Sequence, residues 1–232
     1  MPTMINVRNV TREFRVGGSI IKALDGVDIH IPEGSFTLLQ GPSGSGKTTL
    51  LNIMGALDYP TSGTVLHRDT DISELSDLER DSIRRDEFGF VFQSVALIGL
   101  MSAFENVEFR MRISGRKAAE CRQRSEDSLK MVNLGNRMDH RPHELSGGEQ
   151  QRVAIARAIS TKPSVLFADE PTGELDTHTG LQVVRIFKNL IEKEGVTVVM
   201  TSHDPNMEEL ADTVIRLEDS KVVGIIDGGA AG

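Results

Sequence analysis

The residues best suited to chemistry are Gly41, Pro42, Ser43, Gly44, Ser45, Gly46, Lys47, Thr48 and Thr49, a consecutive run that fits G-x-x-x-x-G-K-[ST]. Its glycines allow backbone conformations that a Cβ forbids, so successive N–H groups can turn toward one anion at a helix N-terminus. Lys47 adds a positive charge aimed at terminal phosphates, and the Thr48 hydroxyl can ligate Mg²⁺. Three further groups stand downstream: the glycine turn Leu145-Ser-Gly-Gly-Glu149, the adjacent acids Asp169 and Glu170, and His203. The glycine turn is a second potential anion site if a helix follows it.

These groups need elements to position them. Ser35–Gln40 reads as a short buried strand leading into the first glycine run, and Thr48–Met54 as a helix leaving it. Ser164–Asp169 is an apolar strand that delivers its acids at the C-terminal end, where a nucleotide-binding α/β core places a Mg²⁺ ligand. Thr197–Ser202 is another buried strand, ending at His203. A helix is expected over Gln150–Ile159 and an amphipathic one over Leu181–Leu190. Upstream, Ile5–Val10 and Ile20–Ile31 alternate as half-buried strands, with a turn at Gly17-Gly18 and a break near Asp25-Gly26, so the first forty residues predict an antiparallel sheet. Tyr59–Val65 reads as turn then strand, and the turn after it, near His67–Thr70, lacks the glycine that a tight hairpin prefers. Ser76–Arg85 is highly charged and predicts a solvated helix. Phe88–Gln93 predicts a buried strand ending in a polar residue. Residues 94–140 carry no strong strand pattern; helices are expected near Ser102–Ile113 and Lys117–Val132, forming an inserted lobe. Two late strands, Ala211–Leu217 and Lys221–Ile226, flank an Asp-Ser turn, and Gly228–Gly232 should fray.

Length, charge and cysteine content narrow the class. A chain of 232 residues suits one large domain, or one domain with an inserted lobe. Lys and Arg number 26 against 34 Asp and Glu, a formal net charge of −8, so no nucleic acid partner is expected. The single cysteine, Cys121, rules out a disulfide framework or a cysteine metal site. No basic segment leads into an apolar run at the N-terminus, and no apolar stretch approaches about 18 residues, so neither a signal peptide nor a spanning helix is expected. The expectation is a soluble protein of a reducing compartment that meets a membrane only through a partner.

Taken together, the phosphate loop, Gln93 after an apolar strand, Leu145-Ser-Gly-Gly-Glu-Gln-Gln-Arg152, the Val165–Glu170 strand, Glu174-Leu-Asp176 and His203 occur in the order seen in ABC-type ATPases. The resemblance covers nearly the whole chain. Phe90-Val-Phe-Gln-Ser94 followed by Phe104-Glu-Asn-Val107 most resembles the macrolide-export and lipoprotein-release branch, which also includes a division-associated ATPase. It implies an α/β fold: a RecA-like P-loop core with a mostly parallel sheet, an N-terminal antiparallel β-subdomain and an inserted helical subdomain. The implied division is one ATPase domain over 1–232, with 1–93 as β-subdomain and P-loop part, 94–150 as the helical subdomain and 151–232 as the rest of the core.

The resemblance also implies roles. Lys47 would hold the β- and γ-phosphates. Thr48 and Asp169 would form the Mg²⁺ shell, Asp169 through water. Glu170 would polarise the attacking water, and Gln93 would touch Mg²⁺ or that water while sensing a membrane partner. His203 would contact the γ-phosphate. Ser146, Gly147 and Gly148 would close on ATP held by a second subunit, and Asp176 would cross that interface. Phe14 stands where the family has an aromatic stacked on adenine; by composition alone it reads as local packing. Likewise Asp169 and Glu170 alone would pass for a solvated helix-cap pair, His203 for a structural hydrogen-bonder, and Gln93 would be unremarkable. His30, His67, His140, His143 and His178 have no ligand spacing.

Two departures stand out. Glu149 follows the two glycines where Gln is commoner, and Arg110 and Arg112 stand where this branch has Leu and Pro. The arginines either alter the contact with a membrane partner or form a solvated face. The function implied is an ATP-hydrolysing subunit, using ATP and Mg²⁺, that closes as a homodimer to power a permease-type membrane partner contacted near residues 93–112. Its implied place is cytoplasmic, peripheral on the inner face of the membrane. The alternatives are an ABC-type ATPase that signals through its partner without moving a substrate, and a soluble ABC ATPase of DNA repair or translation. Lys47 and Ser146 stand too close in sequence for the long coiled coils of the repair class, and the chain has one cassette where the translation class has two.

Overall fold

A computed structural model describes residues 2–228. In chain order the elements are β1 (Thr3–Val16), β2 (Ser19–Pro32), β3 (Phe36–Gln40), α1 (Lys47–Met54), β4 (Ser62–His67), β5 (Thr70–Asp71), α2 (Asp77–Asp86), β6 (Phe88–Val91), α3 (Ala103–Ile113), α4 (Ala118–Met131), α5 (Gly147–Ile159), β7 (Val165–Asp169), α6 (Thr177–Glu194), β8 (Thr197–Ser202), β9 (Thr213–Glu218) and β10 (Lys221–Asp227). They fall into two compact units, one made of residues up to Arg84 with those from Thr197 on, the other of Arg85–Val196. This is the α/β fold expected from the sequence. The expected fraying of the C-terminal glycines concerns, for residues 229–232, positions outside the described residues; Gly228 donates its N–H to Asp212 O at 2.7 Å.

The first unit holds an antiparallel sheet in the order β2-β1-β4-β5. The alternation seen in the sequence becomes its buried face: Ile5, Val7, Val10, Val27, Ile29 and Ile31. Phe14 lies in β1, opposite Ile21 of β2, because the hairpin runs on to the Gly17-Gly18 turn. The β4–β5 turn closes without glycine because Arg68 takes a left-handed conformation, φ 52°. A second sheet runs β10-β9-β3-β8, with β3 parallel to both β8 and β9. Strand β8 is buried along its whole length, as a sheet covered on both faces requires. Asp219 and Ser220, with φ 46° and 66°, form the two-residue β9–β10 turn, the geometry that matches strand twist.

Helix α2 corrects the expectation of a wholly solvated helix. Arg80 is only 2 % exposed, with its guanidinium 3.7 Å from the Tyr59 ring centroid. It donates to Ile72 O at 3.2 Å and Asp58 O at 2.5 Å. Planar stacking and fixed donors are what allow an arginine to be buried.

In the second unit β6 and β7 pair in parallel, Val91 opposite Ala168. Phe88 meets Phe167 edge-on, with centroids 5.2 Å apart. Gly89 admits the α5 backbone; a Cβ there would stand 2.7 Å from Ala158 O. Helices α3, α4 and α5 pack on one another. Helix α4 looks polar in sequence, yet Cys121, Ser125, Ser128 and Leu129 share one buried face. The serines satisfy themselves there by donating to the carbonyls of Cys121 and Arg124, at 2.7 and 2.8 Å. Cys121 is fully buried, its thiol directed to Arg116 O at 3.4 Å.

Candidate functional site

The first unit presents an anion cradle. Helices α3, α5 and α6 open on side-chain caps from Ser102, Ser146 and Asp176; α1 opens on Gly46 with no side-chain cap. Its first-turn amides, Lys47 to Thr49, have no acceptor within the helix, and their dipoles favour negative charge. Two glycines are required for the loop to fit. A Cβ on Gly41 would stand 2.1 Å from Leu217 O, and one on Gly46, with φ 103°, would stand 2.4 Å from Ala23 O. Lys47 is 5 % exposed, and its Nζ donates to Gly41 O at 2.8 Å and Pro42 O at 2.9 Å, so the ammonium is folded over the loop. The Ser45 hydroxyl is buried with no hydrogen-bond partner. An orphaned polar atom inside a glycine loop fits a phosphate, which would supply the missing acceptor. His203 follows β8 next to this loop: Ser202 pairs with Gln40, the residue before Gly41.

The second unit gathers the other predicted residues. Strands β6 and β7 end side by side, so Gln93 and the acids Asp169 and Glu170 leave the sheet at one edge. A Cβ on Gly173 would lie 3.5 Å from Glu170 Oε2 and 3.6 Å from Gln93 Nε2, so both side chains converge on the Gly173 backbone. Glu170 holds φ 43°, a region few non-glycine residues enter, and Gly173 N–H donates to its carbonyl at 3.1 Å. Among the described residues no group of three or more His, Cys, Asp or Glu could hold a metal. Mg²⁺ takes few protein ligands and fills its shell with phosphate oxygens and water, so it needs no such cluster.

The glycine turn at Leu145 proves to be the first turn of α5, which starts at Gly147 and not at Gln150. Ser146 and Glu149 close a capping box: Ser146 N donates to Glu149 Oε2 at 2.9 Å, and Glu149 N to Ser146 Oγ at 3.3 Å. The bond from the Ser146 N–H, more than any other, holds the Glu149 carboxyl below its usual range, and Arg137 sits 3.4 Å from it. A Cβ on Gly148 would stand 2.4 Å from Thr179 Cγ2, so α5 and α6 meet there. Asp176 caps α6, accepting from Thr179 N at 3.0 Å and Thr179 Oγ1 at 2.6 Å, and these bonds lower its pKa.

Several contacts were not legible in the sequence. Arg12, paired with Asp58 at 2.8 Å, lies 4.4 Å from the Phe14 ring centroid, and Phe14 is 37 % exposed. One ring face is taken by the guanidinium, and the side chain stays partly exposed. The segment after Gln93 is pinned by buried Asn106, which donates to Met101 O and Ser102 O and accepts from Ile98 N at 2.8 Å. Arg157 donates to Val95 O and Ala96 O. The two arginines of α3 part company: Arg112 is a solvated partner of Glu108, whereas Arg110 bonds Arg85 O at 3.1 Å and burial lowers its pKa. Apolar groups stay exposed nearby at Phe92, Ile98, Leu100, Phe109 and Ile113.

Comparison with known proteins places these features in context. The family described as ABC transporter matches residues 24–173. An uncharacterized ABC transporter ATP-binding protein of Methanocaldococcus jannaschii is 44% identical over 224 residues, covering 97% of this chain and 100% of that protein. The macrolide export ATP-binding/permease protein MacB of Chlorobaculum tepidum is also 44% identical, over 95% of this chain, but the match spans 34% of that longer protein. Among solved structures, the dimeric post-hydrolysis state of the ATP-binding cassette MJ0796 bound to ADP and Pi superposes with a TM-score of 0.89 at 42% identity, covering 97% of this chain and 99% of that one.

Proposed function

Because this chain belongs to the ABC transporter family and is an ATP hydrolase of that kind, we propose that it is the ATP-driven subunit of a membrane export or lipoprotein-release complex, working by closure of a homodimer on two ATP molecules. The single observation that carries the ATP-binding part is the cradle of α1: an uncapped helix, a buried lysine turned onto its own loop, and an orphaned Ser45 hydroxyl. The dimeric ADP- and Pi-bound relative supports the closure.

In this reading Lys47 and the loop amides hold the β- and γ-phosphates, and Thr48, Asp169 and Gln93 would hold Mg²⁺. The ion would neutralise charge on the transferred phosphoryl group. Glu170 accepts a proton from the attacking water, and Gln93 helps orient that water. His203 donates to the γ-phosphate. Ser146, Gly147 and Gly148 serve the nucleotide of the other subunit through the N-terminus of α5, and Asp176 lies at the subunit interface. One chain thus supplies half of each phosphate cage, so specific activity should rise with protein concentration and ATP dependence should be cooperative. Specific activity independent of dilution, with no ATP-dependent dimer in light scattering, would overturn the split site.

Phe14 stacks on adenine with the ring face opposite Arg12. Phe14→Ala is expected to weaken ATP binding by ~1–3 kcal/mol, with Phe14→Tyr nearly silent, as measured by titration calorimetry. Equal affinity in the alanine variant would return Phe14 to a packing role.

The partner is a permease-type membrane protein that rests on residues 93–112, the helical region over 94–150 acting as its lever. The MacB relative, an ATP-binding/permease protein by name, supports this, as do the exposed apolar side chains beside the pinned segment. No helix of the described residues is long and apolar enough to cross a membrane. We place the protein at the cytoplasmic face, held there by that partner.

A further inference from the structure

A cavity of about 420 Å³ in the second unit is lined by Asn133, Arg152, Gln182, Arg185, Ile186 and Asn189. Three elements meet at it. Asn133 follows α4, Arg152 lies on α5, and the other four take positions i, i+3, i+4 and i+7 on α6, which is one stripe of a helix. No carboxylate lines it. Arg152 Nε is buried there without a hydrogen-bond partner. The acid nearest in sequence to Arg152, Glu149, accepts from the Ser146 N–H and pairs with Arg137; it reaches Arg152 only as a weaker through-space charge and does not line the cavity. A second cavity in this unit, of about 480 Å³, makes the contrast: its Arg116, Arg124 and Lys162 are matched by Glu120 and Asp127, and Arg124 already pairs with Glu194 at 3.0 Å.

We propose that the cavity between Arg152 and Arg185 is a second anion site, which takes a phosphate-type oxyanion and uses no residue of the phosphate loop. Guanidinium groups present forked N–H donors that match phosphate oxygens bidentately, and the amides of Asn133, Gln182 and Asn189 add neutral donors. A buried donor with no partner is the expected trace of an acceptor that belongs there. The volume lies in the range of small-ligand pockets, about 300–1,000 Å³, so it suits a phosphate carrying a small polar body better than a lone ion. The charge also fits: in a chain of net charge −8, a concave surface with two guanidiniums and no acid is a local reversal of sign. A bound anion would tie α5, which begins beside Ser146, to α6, which begins beside Asp176.

The test uses the full chain saturated with a non-hydrolysable MgATP analogue, so that the phosphate loop is filled. Glycerol 3-phosphate, and separately inorganic phosphate, are titrated by calorimetry at low salt. One further site is expected, tighter for the ester than for the inorganic ion and weakening as salt rises. Arg185→Glu, at an exposed position, should weaken it at least tenfold while leaving analogue affinity unchanged. Asn189→Ala should weaken it less. No saturable binding of either probe, or the same affinity in Arg185→Glu, overturns the proposal. A loss of analogue binding by the parent chain would instead count against the ATP site, so the two failures are distinguishable.

Discussion

Glu170→Gln is expected to keep MgATP affinity and to lose hydrolysis by roughly 10²–10⁴-fold, the usual contribution of a positioned general base. The amide keeps the shape and hydrogen-bonding reach of the carboxylate but does not accept a proton as the carboxylate does. Glu170 converges with Gln93 on Gly173 and is held at φ 43°, so its side chain is aimed by the backbone and not by its own rotamers alone. The amide should take the same aim, and the substitution isolates the chemistry from the geometry. It also removes a negative charge near the expected γ-phosphate, which favours closure. A long-lived dimer with ATP inside should appear in size-exclusion chromatography only when nucleotide is present. A second substitution, Ser146→Arg, should abolish that dimer. Its bulk would enter the partner's phosphate cage, and it would also remove the Ser146–Glu149 capping box. A Glu170→Gln protein that hydrolyses ATP normally, or stays monomeric with ATP at low salt, defeats the sandwich mechanism.

Lys47→Ala is expected to abolish turnover and to erase the nucleotide-dependent rise in melting temperature. The ammonium is nearly buried and spans Gly41 O and Pro42 O, so it organises the loop before any phosphate arrives. When a phosphate binds, the same group is the one mobile charge of the loop that can turn to meet it. Charge-assisted hydrogen bonds contribute roughly 1.5–3 kcal/mol each, so losing contacts to two phosphates should weaken MgATP by about 10²-fold or more. Differential scanning fluorimetry with and without MgATP reads this directly, because a ligand that binds only the folded state raises the transition by mass action. A folded Lys47→Ala protein that keeps the shift and the parent rate removes the phosphate-loop assignment.

The sequence exposes what depends on local chain geometry and hides what depends on distant contacts. The phosphate loop, the β7 acids and the β9–β10 turn were legible because each is a short strand followed by residues with special backbone needs. The α3 boundaries were legible for a similar reason: Ser102 and Glu105 form a capping box and Ser114-Gly115 ends the helix. Helix α6 was read as Leu181–Leu190 but begins at Thr177, since its first turn is polar and Gly180 reads as a breaker. Gly180 is tolerated because Thr172 leaves little room, with 3.4 Å to where a Cβ would stand. Gly148 in the first turn of α5 is fitted in the same way, under the Thr179 methyl. The burial of Arg80 was illegible because its partner ring, Tyr59, stands far back in the chain. At the candidate site, motif order singled out Gln93, Glu170 and Asp176, whereas the meeting at Gly173 and the Arg12–Phe14 contact exist only once strands and helices have packed.

The buried thiol of α4 gives this chain a built-in clock. Cys121 is the only cysteine and is fully shielded in the helical region, so a thiol-specific reagent reacts with it only after α4 has opened locally. Its labelling rate under native conditions therefore reports the free energy of the opening that exposes that one position of α4, without any engineered probe. The same shielding leaves a silent background for a dye placed on an added surface cysteine, so one molecule can carry a reporter of global shape and a separate reporter of helical breathing.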